Sequence, residues 1–488
     1  MNRILILALV LIGGLAAGAQ TRVAPASLIA VAGQATANSH AYEYLEELCD
    51  GIGGRVTGSP EEQRARQWAV NKMKAIGLQN VHEERWQMAR GWRRISAQAE
   101  MRSPSHQYLT VASLGWAGST RDGGEEAEAV AVNRNELVEE QKHAAQWRGK
   151  ILFLVSKGKP RPSFEIYALM GPFFQSAHDA GAVAVIDGDG TTETQGMNLT
   201  HIDPADFAGG YYEIPVVRMA ADHRAILERL LDRKQTLRVW IEVRNSASGP
   251  VDSANVVGEI PGSQHPDEIV VLGAHLDSWD LGQGATDDGF GSVAVLAAAE
   301  AIAHSGFRPI RTIRFVLFTG EEQGVKGSLA YMKAHQKEIP NHVAAVVADM
   351  GDGPPTGFWL NGRDDLIALI EEVSSAAGSG GRLRITDATY TFSDAFTFTL
   401  AGVPGIDLAQ DSADYRYTHH STVDTFDKVK PENLVRSAAA IAVLGYWIAD
   451  REQRLAVPLT RERTGQLLTK MKLNDALRLI GLGPLGAE

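Results

Sequence analysis

The segment Ile269 to Gly291, IVVLGAHLDSWDLGQGATDDGFG, limits the folds open to this chain more than any other stretch. It opens on an apolar run, Ile269 to Leu272, of the kind a buried parallel strand requires. It then turns polar abruptly, through His275, Asp277, Asp280, Asp287 and Asp288, with glycines at 273, 282, 284, 289 and 291 keeping the backbone pliable. The residues after Gly291, SVAVLAAAEAIAHS, read as an apolar helix. Strand, acidic loop, helix is the order in which open α/β sheets hold ligands beyond the carboxyl ends of their strands. A histidine and several carboxylates gathered at such a place indicate a divalent cation.

The rest of the chain must supply a sheet around that strand. It has 488 residues, 44% of them hydrophobic, enough for a large core and more than one domain. Its formal net charge of −12 argues against nucleic acid as a partner. The first residues, MNRILILALVLIGGLAAGAQ, read as a secretory signal over 1–19, with Arg3, an apolar core from Ile4 to Leu15, and Ala17-Gly18-Ala19 for cleavage. That core is short for a membrane span, which takes about 20 residues. The expectation is an exported protein, periplasmic or extracellular, with no membrane attachment once the signal is removed. Cys49 is the only cysteine, so no intrachain disulfide can form.

Residues 20–38 are rich in Ala and Ser and read as a loose lead-in. A helix is predicted from 39, and a second after Ser59, which stands as an N-cap before Pro60, Glu61 and Glu62. Val81 to Trp86 and Arg93 to Glu100 read as strands. Short apolar strands at 149–155, 180–186 and 213–219, with helical patterns between them, set 111–250 apart as an inserted α/β domain. His201, Asp203 and Asp206 in that block read as a surface loop, and the sequon Asn198-Leu199-Thr200 as chance. From 251 the alternation is regular. Strands are predicted at 269–273, 311–318, 343–348, 356–361 and 404–408, and helices at 289–304, 326–337, 364–377, 393–401 and 431–449. This pattern predicts an α/β fold, a mostly parallel mixed sheet flanked by helices, built from 39–110 and 251–455. A helix around 462–479 is expected in the tail, 456–488.

Several predicted strands run into acidic or histidine residues. RFVLF leads to Glu321 and Glu322, HVAAVVA leads to Asp349, and a later loop carries His419 and His420. Singly, each has an ordinary reading: a Glu-Glu pair after a strand commonly caps a helix, and a His in a Gly-rich loop commonly faces solvent. Jointly, at successive strand ends, they form a set able to hold two zinc ions with one carboxylate shared. Neighbours in an extended chain point to opposite sides, so one of Glu321 and Glu322 can bind metal while the other faces water. Asp277, two residues from His275, is placed to accept the other imidazole N–H and fix the ring.

The pieces GAHLDSWDLGQGATDDGFG, FTGEEQGVKGS, VADMG, FSDAFTFTLAGVPGI and HHSTVDT resemble the co-catalytic zinc exopeptidase family. That family includes bacterial zinc aminopeptidases and glutamate carboxypeptidases, and the likeness is closest to the plasma glutamate carboxypeptidases. The early GGRVTGSPEEQRA also matches, and the inserted block resembles a protease-associated domain. The resemblance implies His275, Asp287, Glu322, Asp349 and His420 as ligands of two zinc ions, with Asp287 bridging. It implies Glu321 as general base and Asp277 as the residue orienting His275. It places His420 rather than His419 in the ligand set, because Asp424 follows at the family's spacing. It also implies a cis Asp287–Asp288 bond, and matches Tyr390 to a tyrosine that stabilises an oxyanion.

These implications give a zinc-dependent exopeptidase acting on small peptides or dipeptides with free ends, with a homodimer suggested by its relatives. A non-catalytic receptor-like module on the same fold is the rival from another class, opposed by the intact ligand set and Glu321. A zinc glutaminyl cyclase-type acyltransferase would share the ligands. A dinucleotide site after the strand is excluded by Asp287, which would repel a pyrophosphate. No GxSxG elbow points to a serine hydrolase.

Overall fold

The computed structural model describes residues 25–161, 163–187, 211–377, 381–391, 393–412 and 414–485. The signal at 1–19, the sequon, and His201, Asp203 and Asp206 lie outside the described residues.

Two eight-stranded sheets carry the molecule. In the first, the neighbouring strands Arg311–Phe318, His265–His275, His342–Val347 and Gly405–Gln410 run parallel. They are apolar on both faces because helices cover both. Val270 and Leu272 pack with the helices Phe290–Ala303 and Pro431–Ala449, while Ile269 and Val271 pack with Tyr331 and Phe398 on the other side. The antiparallel strands lie outside that centre: Gln79–Met88 and Val251–Ile260 on one flank, Pro355–Trp359 on the other, with Arg384–Thr386 parallel to it. Among the described residues no helix is long and apolar enough to cross a membrane.

The second sheet runs from Gln107–Leu109 through Trp92–Ser103, Leu237–Ala247, Glu125–Asn133, Lys150–Val155, Ala184–Asp187 and Val216–Met219 to Val111–Ser113. It includes a strand that the sequence reading groups with the first sheet. Trp92–Ser103 pairs with Leu237–Ala247 and so belongs to the second sheet. The chain leaves the first sheet at Met88 and returns at Val251, and these two residues face each other across the antiparallel ladder. Exit and entry side by side let the intervening residues fold as one unit without disturbing the first sheet.

Two other expectations change. Residues 26–37 form a helix, Ala26–Ala37, with Leu28, Val31 and Ala35 buried against Pro431–Ala449 and Phe290–Ala303. Small residues between those positions hide the helical stripe in the sequence. The tail forms two helices, Arg461–Lys470 and Asn474–Leu479, broken where Lys472 takes a φ of 61°. The tail packs on Phe396 and Leu400 through Leu468, Leu477 and Ile480.

Candidate metal centre

The carboxyl ends of the central parallel strands converge on one buried patch. His275 ends its strand, Glu321 and Glu322 follow Arg311–Phe318, and Asp349 follows His342–Val347. Asp287 comes from the loop after His275, and His420 from the loop after the short helix Tyr415–Thr418. Parallel strands in register bring these residues together although they are far apart in sequence.

His275 Nε2 lies 3.3 Å from Asp287 Oδ1 and 3.3 Å from Asp349 Oδ1. His420 Nε2 lies 2.8 Å from Glu322 Oε2 and 3.1 Å from Asp287 Oδ2. Asp287 thus stands between two groups, one made with His275 and Asp349, the other with Glu322 and His420. The Asp287–Asp288 bond is cis, as the resemblance implied. Asp288 faces away and accepts from the backbone N–H groups of His275 and Gly291. Glu321 Oε2 is 4.0 Å from His275 Nε2, with its side chain 12% exposed. Glu321 and Glu322 face different parts of the patch, but from a hydrogen-bonded turn after the strand rather than from the extended chain the sequence suggested: the N–H groups of Gly324 and Val325 donate to the Glu321 carbonyl.

Asp277 acts differently from the expectation. The His275 Nδ1 partner is the Asp277 backbone carbonyl, at 3.0 Å, while the carboxylate stands 3.7 Å away. The carboxylate accepts instead from Thr57 Oγ1 at 2.9 Å and from the Glu321 N–H at 3.3 Å. Asp277 both fixes His275 and braces the backbone of Glu321.

Sequence reasoning gave no role to Arg55, although it lies in GGRVTGSPEEQRA. Its guanidinium is fully buried and donates to the carbonyls of Leu276, Gly53, Gln283 and Gly284. Those contacts hold both ends of the loop between His275 and Asp287. Gly284 has a φ of +62°, and a Cβ there would meet Ser278 and Arg55. Thr286 N–H donates to Asp424 Oδ1 at 2.6 Å, tying the Asp287 segment to the His420 loop. Trp279 packs its ring edge-on near His420 and Trp116, the latter from the segment between two strands of the second sheet, Val111–Ser113 and Glu125–Asn133. Tyr415, likewise not singled out, seats its ring beside Gly351 and His419.

The charges are strongly coupled. Burial, then the Asp349 charge, lifts the Glu321 carboxyl well above its usual range. Burial and Asp287 push Glu322 up to about 7. Burial opposes the Asp287 charge, yet His275 and His420 hold its carboxyl well below the ordinary value. Tyr390 stands close enough for Asp349, Glu321 and Asp287, after burial, to raise its phenol.

Four buried atoms here, His275 Nε2, Asp287 Oδ2, Glu322 Oε1 and Asp349 Oδ2, make no hydrogen bond. Buried polar atoms left unpaired are costly, and a cluster of nitrogen and carboxylate lone pairs is what a divalent cation satisfies. The residues therefore fit a metal centre.

Residues 255–445 match the model of peptidase family M28. Carboxypeptidase Q of Mus musculus is 32% identical over 426 residues, covering 86% of this chain and 87% of that protein. The chain belongs to peptidase family M28. As an M28 protein it is a metallopeptidase, and its likeness to carboxypeptidase Q extends to the Homo sapiens protein, 30% identical over 437 residues, 88% of this chain and 89% of that one. Among solved structures, an M28 peptidase precursor from Shewanella amazonensis superposes with a TM-score of 0.78 at 29% identity, covering 89% of this chain and 99% of that chain. A zinc aminopeptidase from Bacillus subtilis shares the fold, with a TM-score of 0.66 at 20% identity over 86% of this chain and 97% of that chain.

Proposed function

We propose that this M28 chain is an exported two-zinc exopeptidase that hydrolyses short peptides or dipeptides with free ends. The observation that carries the reading is the cluster of buried imidazole and carboxylate atoms on either side of Asp287, four of which make no hydrogen bond. His275, Asp287 and Asp349 would hold one ion, and Asp287, Glu322 and His420 the other. When bound, such ions would polarise a scissile carbonyl and bring the pKa of water from 15.7 towards roughly 7. Glu321 takes the proton from the attacking water and returns it to the leaving amine. Burial and Asp349 raise its carboxyl, and bound cations would act in the opposite direction, favouring the ionised form a base needs. Asp277 keeps the His275 ring in one orientation and the Glu321 backbone in place. Tyr390 donates to the oxygen that gains charge as water attacks.

The insertion, read as protease-associated, narrows access. Trp116 packs on Trp279, Arg94 Nη2 lies 3.2 Å from Asp280 Oδ1, and the tail helix Asn474–Leu479 packs on the inserted helix Ser163–Asp179. Those contacts favour short substrates. Zinc-loaded Glu321→Gln is expected to retain its metal and lose about 10²–10⁴-fold in turnover on dipeptides. Near-normal turnover with metal content verified removes Glu321 from the base role. Free, N-blocked and C-blocked dipeptides, run beside a ten-residue peptide, identify the end recognised and test the length limit.

A further inference from the structure

Asn361 follows the strand Pro355–Trp359 and is fully buried, with a φ of +46°. Asparagine is one of the few residues besides glycine that take this left-handed conformation readily. Around it the main chain pairs with the segment leading to Tyr390: the N–H groups of Leu360, Asn361 and Gly362 donate to the carbonyls of Thr386, Ala388 and Asp387. The Asn361 side chain continues that pairing. Its Oδ1 accepts from the Tyr390 N–H at 3.1 Å, and its Nδ2 donates to Asp407 Oδ2 at 2.6 Å and to the Gly405 carbonyl at 3.2 Å. The amide fits in one orientation only, since its oxygen faces a donor and its nitrogen faces two acceptors. Asp407 is itself fully buried on the strand Gly405–Gln410, in register with Val347, two residues before Asp349. One amide thus ties the main chain of Tyr390 to the strand beside the one that leads to Asp349.

We infer that Asn361 is a positioning residue for the reaction: its amide fixes the main chain at Tyr390 and so sets the phenol that donates to the developing oxyanion. The inference rests on the Tyr390 role proposed above. A donor stabilises developing charge best when it is already in place, because one that must reorient during the reaction loses most of its advantage. Tyr390 lies between the strand Arg384–Thr386 and the helix Asp394–Leu400, on neither, so no regular ladder holds it. None of the proposed metal ligands is a partner of the amide, so its loss should leave the zinc in place.

The test uses zinc-loaded full-length protein and a dipeptide that the wild type cleaves. Asn361→Gly keeps the left-handed backbone and removes the amide, and Asn361→Asp keeps the size but sets a carboxylate against Asp407. Tyr390→Phe is expected to lose about 10²-fold in kcat. Both Asn361 variants are expected to lose about tenfold or more in kcat, with KM and zinc content unchanged. Asn361→Gly combined with Tyr390→Phe should be no slower than Tyr390→Phe alone, within about threefold, because the two act as a unit. Hydrogen exchange of the metal-free protein gives a readout independent of activity: the peptide covering 387–391 should exchange faster in Asn361→Gly than in the wild type. Should the glycine variant not fold, the aspartate variant carries both comparisons. Wild-type kcat or wild-type exchange in the folded Asn361 variants overturns the inference and leaves Tyr390 in its role. Losses that multiply in the combined variant, zinc lost from both Asn361 variants, or failure of both to fold also overturn it, since each makes Asn361 a support of the fold or of the metal centre instead. Wild-type turnover in Tyr390→Phe overturns the oxyanion role of Tyr390, and the inference with it.

Discussion

Among the described residues Arg55 has no carboxylate within hydrogen-bonding distance; its donors go to main-chain carbonyls. A buried guanidinium used in this way sets geometry, because its planar fork reaches several acceptors from one fixed place. Two of those acceptors belong to Leu276, next to His275, and Gly284, three residues before Asp287. The side chain therefore fixes His275 and Asp287, two residues of the proposed centre, without a hydrogen bond to either side chain. Lysine keeps the charge but offers one nitrogen at a single point. Arg55→Lys is expected to stay folded and to bind zinc about 10–100-fold more weakly, the range found when groups supporting a metal ligand are lost. Competition with a chelating dye measures it, and an unchanged zinc affinity would show that the loop holds itself.

The element that supplies Asp349 also carries a pH-dependent contribution to stability at its opposite end. His342 begins the strand His342–Val347 and is buried, with Nδ1 2.9 Å from the Glu338 carbonyl and Nε2 2.9 Å from Tyr331 Oη. Tyr331 Oη in turn accepts from Arg314. The neutral ring, donating to the carbonyl and accepting from the phenol, fits this chain of bonds. Burial holds the His342 imidazole down to about 4, from an ordinary 6.5. Between those values the unfolded chain binds a proton that the folded chain refuses, so the His342 contribution is full above 6.5 and is lost as pH falls towards 4. Urea midpoints of metal-free protein should fall from pH 7 to pH 5, and the fall should be smaller in His342→Asn. Equal falls in the two proteins would clear His342 of the effect.

Across the whole molecule, the tail touches elements that accompany both sheets. It covers Phe396 and Leu400, on the helix Asp394–Leu400 beside the first sheet, and its last helix meets the helix Ser163–Asp179 that follows a strand of the second. Leu468 is fully buried at that junction. Leu468→Ala is expected to cost about 2–5 kcal/mol, through lost contact and the cavity left behind. Thermal unfolding measures the loss, and a change below about 0.5 kcal/mol would mean the tail is loosely attached.

Local pattern was enough for the central strands and the helices between them, because a strand buried on both faces must be apolar throughout and must end where the chain turns polar. The same pattern marked His275, Glu321, Glu322 and Asp349 at strand ends and Asp287 in the acidic loop, but left His419 and His420 undivided in a later loop, where the family resemblance alone singled out His420. Their grouping around Asp287 depended on parallel register between strands distant in the chain, which no local pattern encodes. Tertiary structure alone turned Arg55 inwards and gave the Nδ1 of His275 a backbone rather than a carboxylate partner. It alone bent His420 so that His419 shares its face, and formed Ala26–Ala37 against helices whose nearest residue in sequence is some 250 positions away. Each of these is set by what lies opposite a residue in space, and a linear pattern records only what lies beside it.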